Sequence, residues 1–210
     1  MEVEQQRKGI RNVDDDTLDE TTRGSITKWR LDRNYITNIS CTLPMTKLTS
    51  LYLGVNSLVT FPDVSMCPLL CELYLNNNAI TEISMDVLSS LHYLKILDLR
   101  KNRITKLQLP KSCAALTFFS ISGNAVEKIG DLPEMPLLNK LCLFGNGKMK
   151  KQDCATLLQH TPNVKHLFVA GTGMAAYPRA DAQQQEDIVQ VLHKIITIDG
   201  QFVTQRNSNI

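Results

Sequence analysis

A thiol beside an imidazole is a short route from side chains to nucleophilic chemistry, and Cys142 and His166 are the pair whose spacing approaches one. Each adjoins a leucine, Leu141 and Leu167, inside short apolar stretches that read as neighbouring strands. A working dyad also needs a group that orients the imidazole, and the same pattern offers only Lys140 beside it. Cys67 and Cys71 stand at a metal-ligand spacing, but no second pair matches them, so they read as packing residues. Gly145-Asn146-Gly147-Lys148 imitates a phosphate loop. It lacks the earlier glycine and has Met149 where such a loop needs Ser or Thr. Lys148, Lys150 and Lys151 precede a helix expected from about Gln152; they read as a solvated basic loop rather than an anion site. No catalytic, metal or cofactor site is expected.

The residues with real periodicity are asparagines. Asn34, Asn56, Asn78, Asn102, Asn124 and Asn146 follow one another at gaps of 22, 22, 24, 22 and 22, each closing the pattern LxxLxLxxN. The clearest examples are Leu70, Leu73, Leu75, Asn78 and Leu94, Leu97, Leu99, Asn102. Two leucine-type residues spaced two apart share one face of a strand, so both turn inward and the residues between them turn outward. Leu58 with Phe61, Ile80 with Ile83, Ile104 with Leu107 and Val126 with Ile129 then fill the return arm. The asparagine amide stands where the strand turns and can bond backbone groups of its own and the adjacent coil. Cys67 and Cys113 share a slot with Met45, Leu91 and Met135, which makes them core fillers.

This pattern resembles the leucine-rich repeat. It predicts an α/β leucine-rich repeat solenoid, a right-handed curved stack with a parallel concave sheet, about seven repeats and a C-terminal helical cap. Residues 24–178 hold the repeats, ending in a variant with Val164, Leu167, Val169 and Thr172 in place of the asparagine. Residues 1–23 are expected to be a partly ordered acidic arm or cap, with a helix from Asp14 to about Thr22. Residues 179–204 are the expected C-terminal cap. There Asp181 caps a helix carrying Ile188, Val191, Leu192 and Ile195, which ends at Asp199-Gly200, and residues 205–210 form a tail. Across residues 24–204 the chain is similar to the 22-residue class typified by the phosphatase-1 regulatory subunit, axonemal dynein light chain 1 and the spliceosomal A-prime protein. Ile198-Asp199-Gly200 and Val203 hold the places of that class's terminal motif. The resemblance implies a non-enzymatic scaffold that binds partners on its concave face.

Charge and leader sequence narrow the setting. The chain has 210 residues and a net charge of +2 from 23 basic and 21 acidic side chains, which speaks against a partner held through phosphate neutralisation. The acidic N-terminus does not look like a secretory or transit sequence, no long apolar stretch suggests a membrane span, and the cysteines form no terminal cluster. A cytoplasmic protein is the expectation, with cytoskeletal, ciliary and nuclear settings as variants.

The outward strand slots carry Tyr52, Tyr74, Phe118, Phe144 and Phe168, five of the eleven Tyr and Phe residues. From Tyr52 to Phe168 is five strand steps, roughly 24 Å at ~4.8 Å each, the length of about 16 residues of helix. Arg30, Glu72, Ile96, Asp98, Arg100, Lys140 and His166 stand around these rings. Together they read as an apolar binding centre with a charged rim. The alternative use of the rings is cross-strand stacking with nothing bound. The expected protein is a monomer inside a hetero-complex. It would bind a protein helix or extended segment, with a cytoskeletal or axonemal assembly preferred over a ribonucleoprotein or a phosphatase complex.

Overall fold

The computed structural model describes residues 1–40 and 42–172 and the backbone of 197–198 and 201–202. Eight short parallel strands stack one per coil: β1 (Glu2–Glu4), β3 (Lys28–Arg30), β5 (Ser50–Tyr52), β6 (Glu72–Tyr74), β7 (Ile96–Asp98), β9 (Phe118–Ser120), β11 (Lys140–Cys142) and β12 (His166–Phe168). The return side carries the two-residue strands β2 (Asn12–Val13), β4 (Asn38–Ile39), β8 (Lys106–Leu107) and β10 (Lys128–Ile129), paired β2 with β4 and β8 with β10. It also carries the helices α1 (Glu20–Ser25), α2 (Met85–Ser90) and α3 (Lys151–Gln159). This is the leucine-rich repeat solenoid that the spacing predicts.

The register explains why the stack holds together. Trp29, Leu51, Leu73, Leu97, Phe119, Leu141 and Leu167 stand opposite one another on successive strands, and all are buried. A single apolar ladder therefore runs through the core, with Leu58, Phe61, Ile80, Ile83, Ile104, Leu107 and Val126 closing it from the return arms. Cys67 and Cys113 lie in that core beside Met45, Leu91 and Met135. Burial pushes the Cys113 thiol up to about 12, so it is inert at neutral pH.

The asparagines hold the coils in phase. Asn102 donates to Leu99 O of its own coil and Leu75 O of the coil before, each at 3.0 Å, and accepts from Ile80 N at 3.0 Å. Asn56, Asn78, Asn124 and Asn146 repeat the arrangement one coil at a time. Each amide thus pairs three backbone groups that would otherwise lie unpaired inside the turn. At Thr172 the hydroxyl donates to Val169 O, a bond within its own coil.

Sequence reasoning did not foresee what lets the strand turn. The residue before each of these positions adopts left-handed backbone: Arg33 (φ 60), Val55 (φ 58), Asn77 (φ 56), Lys101 (φ 53), Gly123 (φ 66), Gly145 (φ 72) and Gly171 (φ 71). From Arg33 to Gly145 its N–H donates to the next coil, as Lys101 N does to Ser122 O at 2.8 Å. The geometry recurs in every coil, but the residue type does not, so no sequence motif marks it.

The N-terminal segment takes the cap alternative in a form the spacing did not indicate. Residues 1–23 build a further coil that covers the first repeat: β1 pairs with β3, setting Val3 against Trp29, and β2 pairs with β4, burying Val13. Asn34 supports this coil as the others are supported, donating to Gln5 O and accepting from Lys8 N and Ile10 N. The single helix expected from Asp14 to Thr22 is divided into a 3-10 turn at Asp15–Thr17 and α1. Leu18 stands extended between them (φ −131) because its side chain enters the core, and Asp19 then caps α1 by accepting from Thr22 N. At the other end β13 (Thr197–Ile198) pairs parallel with β12, and β14 (Gln201–Phe202) runs antiparallel to β13. Ile198 is thus part of a strand, while the helix expected from Asp181, Asp199, Gly200, Val203 and the tail lie outside the described residues.

Candidate functional site

The outward side chains of the strands form three rows on the concave face. The middle row reads Arg30, Tyr52, Tyr74, Asp98, Ser120, Cys142, Phe168 in direct register. The row before it reads Lys28, Ser50, Glu72, Ile96, Phe118, Lys140, His166. Arg100 and Phe144 extend just past the strands, two residues beyond Asp98 and Cys142. The five outward aromatics therefore do not form one continuous row. The rings fall into two groups, separated by Asp98 and Ser120.

In the first group Tyr52 and Tyr74 stack with ring centroids 4.6 Å apart and planes 8° from parallel. The Arg30 guanidinium lies 4.5 Å from the Tyr52 centroid and donates to Glu2 Oε1 at 2.8 Å. The Tyr52 hydroxyl donates to Glu72 Oε2 at 3.3 Å. Burial, reinforced by the Glu72 charge, raises the Tyr52 phenol above its usual range; the same two causes, in the same order, push Tyr74 up to about 12. A neutral, stacked, hydrogen-bonded pair results, much as the stacking alternative anticipated. A shallow hollow of 210 Å³ lies over it, lined by residues including Asp32, Val55 and Asn76.

Asp98, expected on the solvent-facing rim, is only 1% exposed. Arg100 covers it with a two-pronged pair: Nε donates to Oδ1 at 2.9 Å and Nη2 to Oδ2 at 2.6 Å, while the Arg100 backbone N–H also reaches Oδ1. The guanidinium pKa rises accordingly, chiefly through the bond to Asp98. Ser50, Ser120 and Ser122 are also buried despite standing on outward slots. Periodicity gives the direction of a side chain, whereas burial depends on how far its larger neighbours reach across it.

The second group is built around Lys140. Its ammonium sits 5.6 Å from the Phe118 centroid and 5.1 Å from the Phe168 centroid, between rings on the two flanking strands. Phe144 is 56% exposed beside them. Ile96 is half-buried next to Phe118 in the first row, and His166 is half-buried next to Lys140. A hollow of 360 Å³ opens here, lined by Arg100, Lys101, Ser122, Gly123, Lys140, Cys142, Phe144 and Phe168. Lys101 and Gly123 are lining residues that sequence reasoning missed. Each occupies the left-handed turn just past the outward slots, so counting one residue beyond Arg100 and Ser122 would have found them.

The structure weakens the thiol–imidazole reading. Cys142 pairs in register with Phe168, and His166 with Lys140, so the two stand diagonally. The thiol is buried, and that burial raises its pKa, the opposite of what a nucleophile needs. Among the described residues no cluster of His, Cys, Asp and Glu is arranged to hold a metal. Lys148 of the basic loop reaches Glu127 Oε2 at 3.2 Å on the neighbouring coil, and Asn146 of the loop-like glycine run belongs to the amide ladder. No helix among the described residues is long and apolar enough to cross a membrane.

Comparison with known proteins finds the repeat in part of the chain. A family profile described as leucine rich repeat matches residues 68–126. Toll-like receptor 2 of Homo sapiens and of Canis lupus familiaris are each 36% identical over 112 residues, which is 53% of this chain and 13% of the receptor. The match thus spans only a small part of those relatives. Among solved structures, a plant peptide hormone receptor, RGFR1, in complex with RGF2 covers 77% of this chain at 21% identity and a TM-score of 0.42; 27% of that receptor is covered. A leucine-rich repeat protein of Leptospira interrogans covers 94% of the chain at 13% identity and a TM-score of 0.30, with 95% of it covered.

Proposed function

We propose that this protein is a non-enzymatic interaction scaffold that binds a protein segment on its concave sheet. The observation that carries this reading is the second aromatic group, where exposed Phe144 and half-buried Phe118 and Phe168 surround a cation over an open hollow. Exposed rings grouped on a rigid concave surface, with charges at their edge, are the composition of a binding centre. The fold also suits the task. Its face is fixed by the leucine and asparagine ladders, so a partner meets a surface that needs no ordering on binding.

We place the protein inside the cell as one subunit of a larger assembly. Cys71, Cys113 and Cys142 are free thiols, and Cys67 and Cys113 serve as packing residues of the repeat core, which suits a reducing compartment. The resemblance of the repeats to the class containing axonemal dynein light chain 1 makes a cytoskeletal or axonemal complex the first setting to test. The experiment compares capture of cellular proteins by the wild type, by the double variant Tyr74→Ser with Phe118→Ser, and by Glu82→Arg on the return side. Fluorescence of the single, buried Trp29 verifies folding. The expected outcome is loss of specific partners from the double variant alone. Equal capture by all three would refute a concave binding face.

A further inference from the structure

The hollow around Lys140 has a charge character that the rest of the face lacks, and that character selects a partner. Its cations are Arg100, Lys101 and Lys140, and among the described residues no acid lines it. Lys140 has no carboxylate partner among the described residues; its ammonium is placed by two ring faces, which leave its N–H donors available. Arg100 engages Asp98 through Nε and Nη2, and its Nη1 makes no bond among the described residues. Lys101 reaches the rim over Gly123, where an added Cβ would approach its Cγ to 3.3 Å, so the glycine leaves room for the lysine stem. Between these donors the wall is aromatic, formed by Phe144 and Phe168.

We infer that this hollow is a docking site for an extended acidic segment of a partner protein, with a carboxylate set among the three cations and an adjacent apolar side chain laid against Phe144 and Phe168. The assignment rests on the concave-face reading and deepens it. A carboxylate entering here gains charge-assisted bonds in a partly apolar surround where they are strong. Its apolar neighbour covers ring surface that now meets water. Nucleic acid fits less well, because the same concave face carries Glu2, Glu72 and Asp32 beyond Asp98, and these repel a phosphate backbone that continues along the sheet. The first aromatic group offers no equivalent site, since Arg30 is held by Glu2 and the Tyr52 hydroxyl by Glu72.

The test uses the full chain and a labelled peptide, Gly-Asp-Glu-Phe-Asp-Glu-Leu-Gly, followed by fluorescence anisotropy, with an Asn/Gln isostere of the same length. Saturable binding is expected, weakened at least about tenfold by the isostere, by Lys140→Met and by Phe144→Ser, weakened by salt, and unchanged by Arg30→Met. Failure to bind, equal binding of the isostere, or sensitivity to Arg30→Met in place of Lys140→Met would overturn the assignment. So would competition by polyuridylate stronger than by the unlabelled acidic peptide. Self-association that Lys140→Met abolishes and the peptide does not displace would give the hollow to a second copy, and also overturn it. Lys140→Met is run beside the capture variants as well. Partner loss with Tyr74→Ser and Phe118→Ser but retention with Lys140→Met removes the hollow and leaves the concave-face reading standing. Retention by every variant removes both.

Discussion

The two aromatic groups share one sheet and one slot pattern, yet their side chains are used differently. Tyr52 and Tyr74 face each other, and their neighbours close around them: Arg30 on one ring, Glu2 on Arg30, Glu72 on the Tyr52 hydroxyl. Phe118, Phe144 and Phe168 stand on separate rows around Lys140, and no acid lines the hollow beside it among the described residues. In the first region the surface chemistry is satisfied within the chain, so it contributes to stability. In the second it is left over, which is the basis of the binding role proposed for it. An aromatic residue on an outward slot therefore does not by itself signal a binding site. The partners already engaged around it decide.

The boundary between the regions is the Asp98–Arg100 pair, and breaking it has the largest expected effect. Arg100→Met leaves a buried carboxylate with only the Arg100 backbone N–H for company. We expect a loss of about 2–3 kcal/mol, below the range for fully buried pairs because Arg100 itself reaches solvent. Asp98→Asn in the same chain should restore most of the loss, since a neutral amide tolerates the site better. Denaturant midpoints of the two single variants and the double variant measure the coupling. If Arg100→Met is neutral, Asp98 is solvated and the two halves are not separated by a sealed pair.

Tyr74→Ser comes next, at about 2 kcal/mol, from lost burial together with the stacked contact. The phenols provide a second, independent reading. Because folding raises the Tyr74 pKa from its ordinary 10.0 to about 12, the folded state retains a proton that the unfolded state has released between those values. That contribution is complete below about pH 10 and is lost as the pH climbs toward about 12. Phenolate absorbance during alkaline titration should therefore show a late step that Tyr74→Phe abolishes. An early, uniform titration would mean that the stack is open in solution.

The fold was legible in the sequence because its ladders depend on residue type. Only asparagine offers two donors and an acceptor at the turn, and only apolar side chains fill the inward slots, so Asn34 to Asn146 and Leu48 to Leu167 declare themselves. Residues 1–23 did not, because their coil has Val3, Ile10 and Val13 in place of leucines and no asparagine of its own at the turn. The outward direction of the site residues was legible for the same reason as the inward one. The division of the aromatics was not, since it depends on which row each ring occupies and on how far Arg100 folds back over Asp98. Neither is a property of spacing along the chain.

The turns repeat the contrast between the halves. The left-handed position is held by Arg33, Val55, Asn77 and Lys101 in the early coils and by Gly123, Gly145 and Gly171 in the later ones. A β-branched residue there is strained, and Val55 is also exposed, so little packing offsets the strain. Val55→Asn should stabilise the protein by about 1 kcal/mol, asparagine tolerating this backbone without the entropic cost of glycine. An unchanged m-value with a raised denaturant midpoint would verify it. The mirror change, Gly123→Ala, imposes that strain on the later half and brings a Cβ to 3.3 Å of Lys101 Cγ, so it should destabilise by a similar amount. Should Val55→Asn destabilise instead, the early turns are held by contacts of the Val55 side chain and not by tolerance of strain.

The smallest expected effect is the most discriminating. Phe144→Ser removes a large ring that is more than half exposed, so stability should change by no more than about 0.5 kcal/mol, a shift in melting temperature of roughly 1–2 °C. Tyr74→Ser and Phe144→Ser delete similar aromatic bulk from the same face, and their difference isolates what the neighbours contribute. If the second region is unsatisfied, the pair of measurements separates cleanly: one variant loses stability and the other loses only affinity for the acidic peptide. If Phe144→Ser costs as much as Tyr74→Ser, the ring is covered in solution by this chain's own residues. The second region would then be as closed as the first, and the sheet would have no surface left over for a partner.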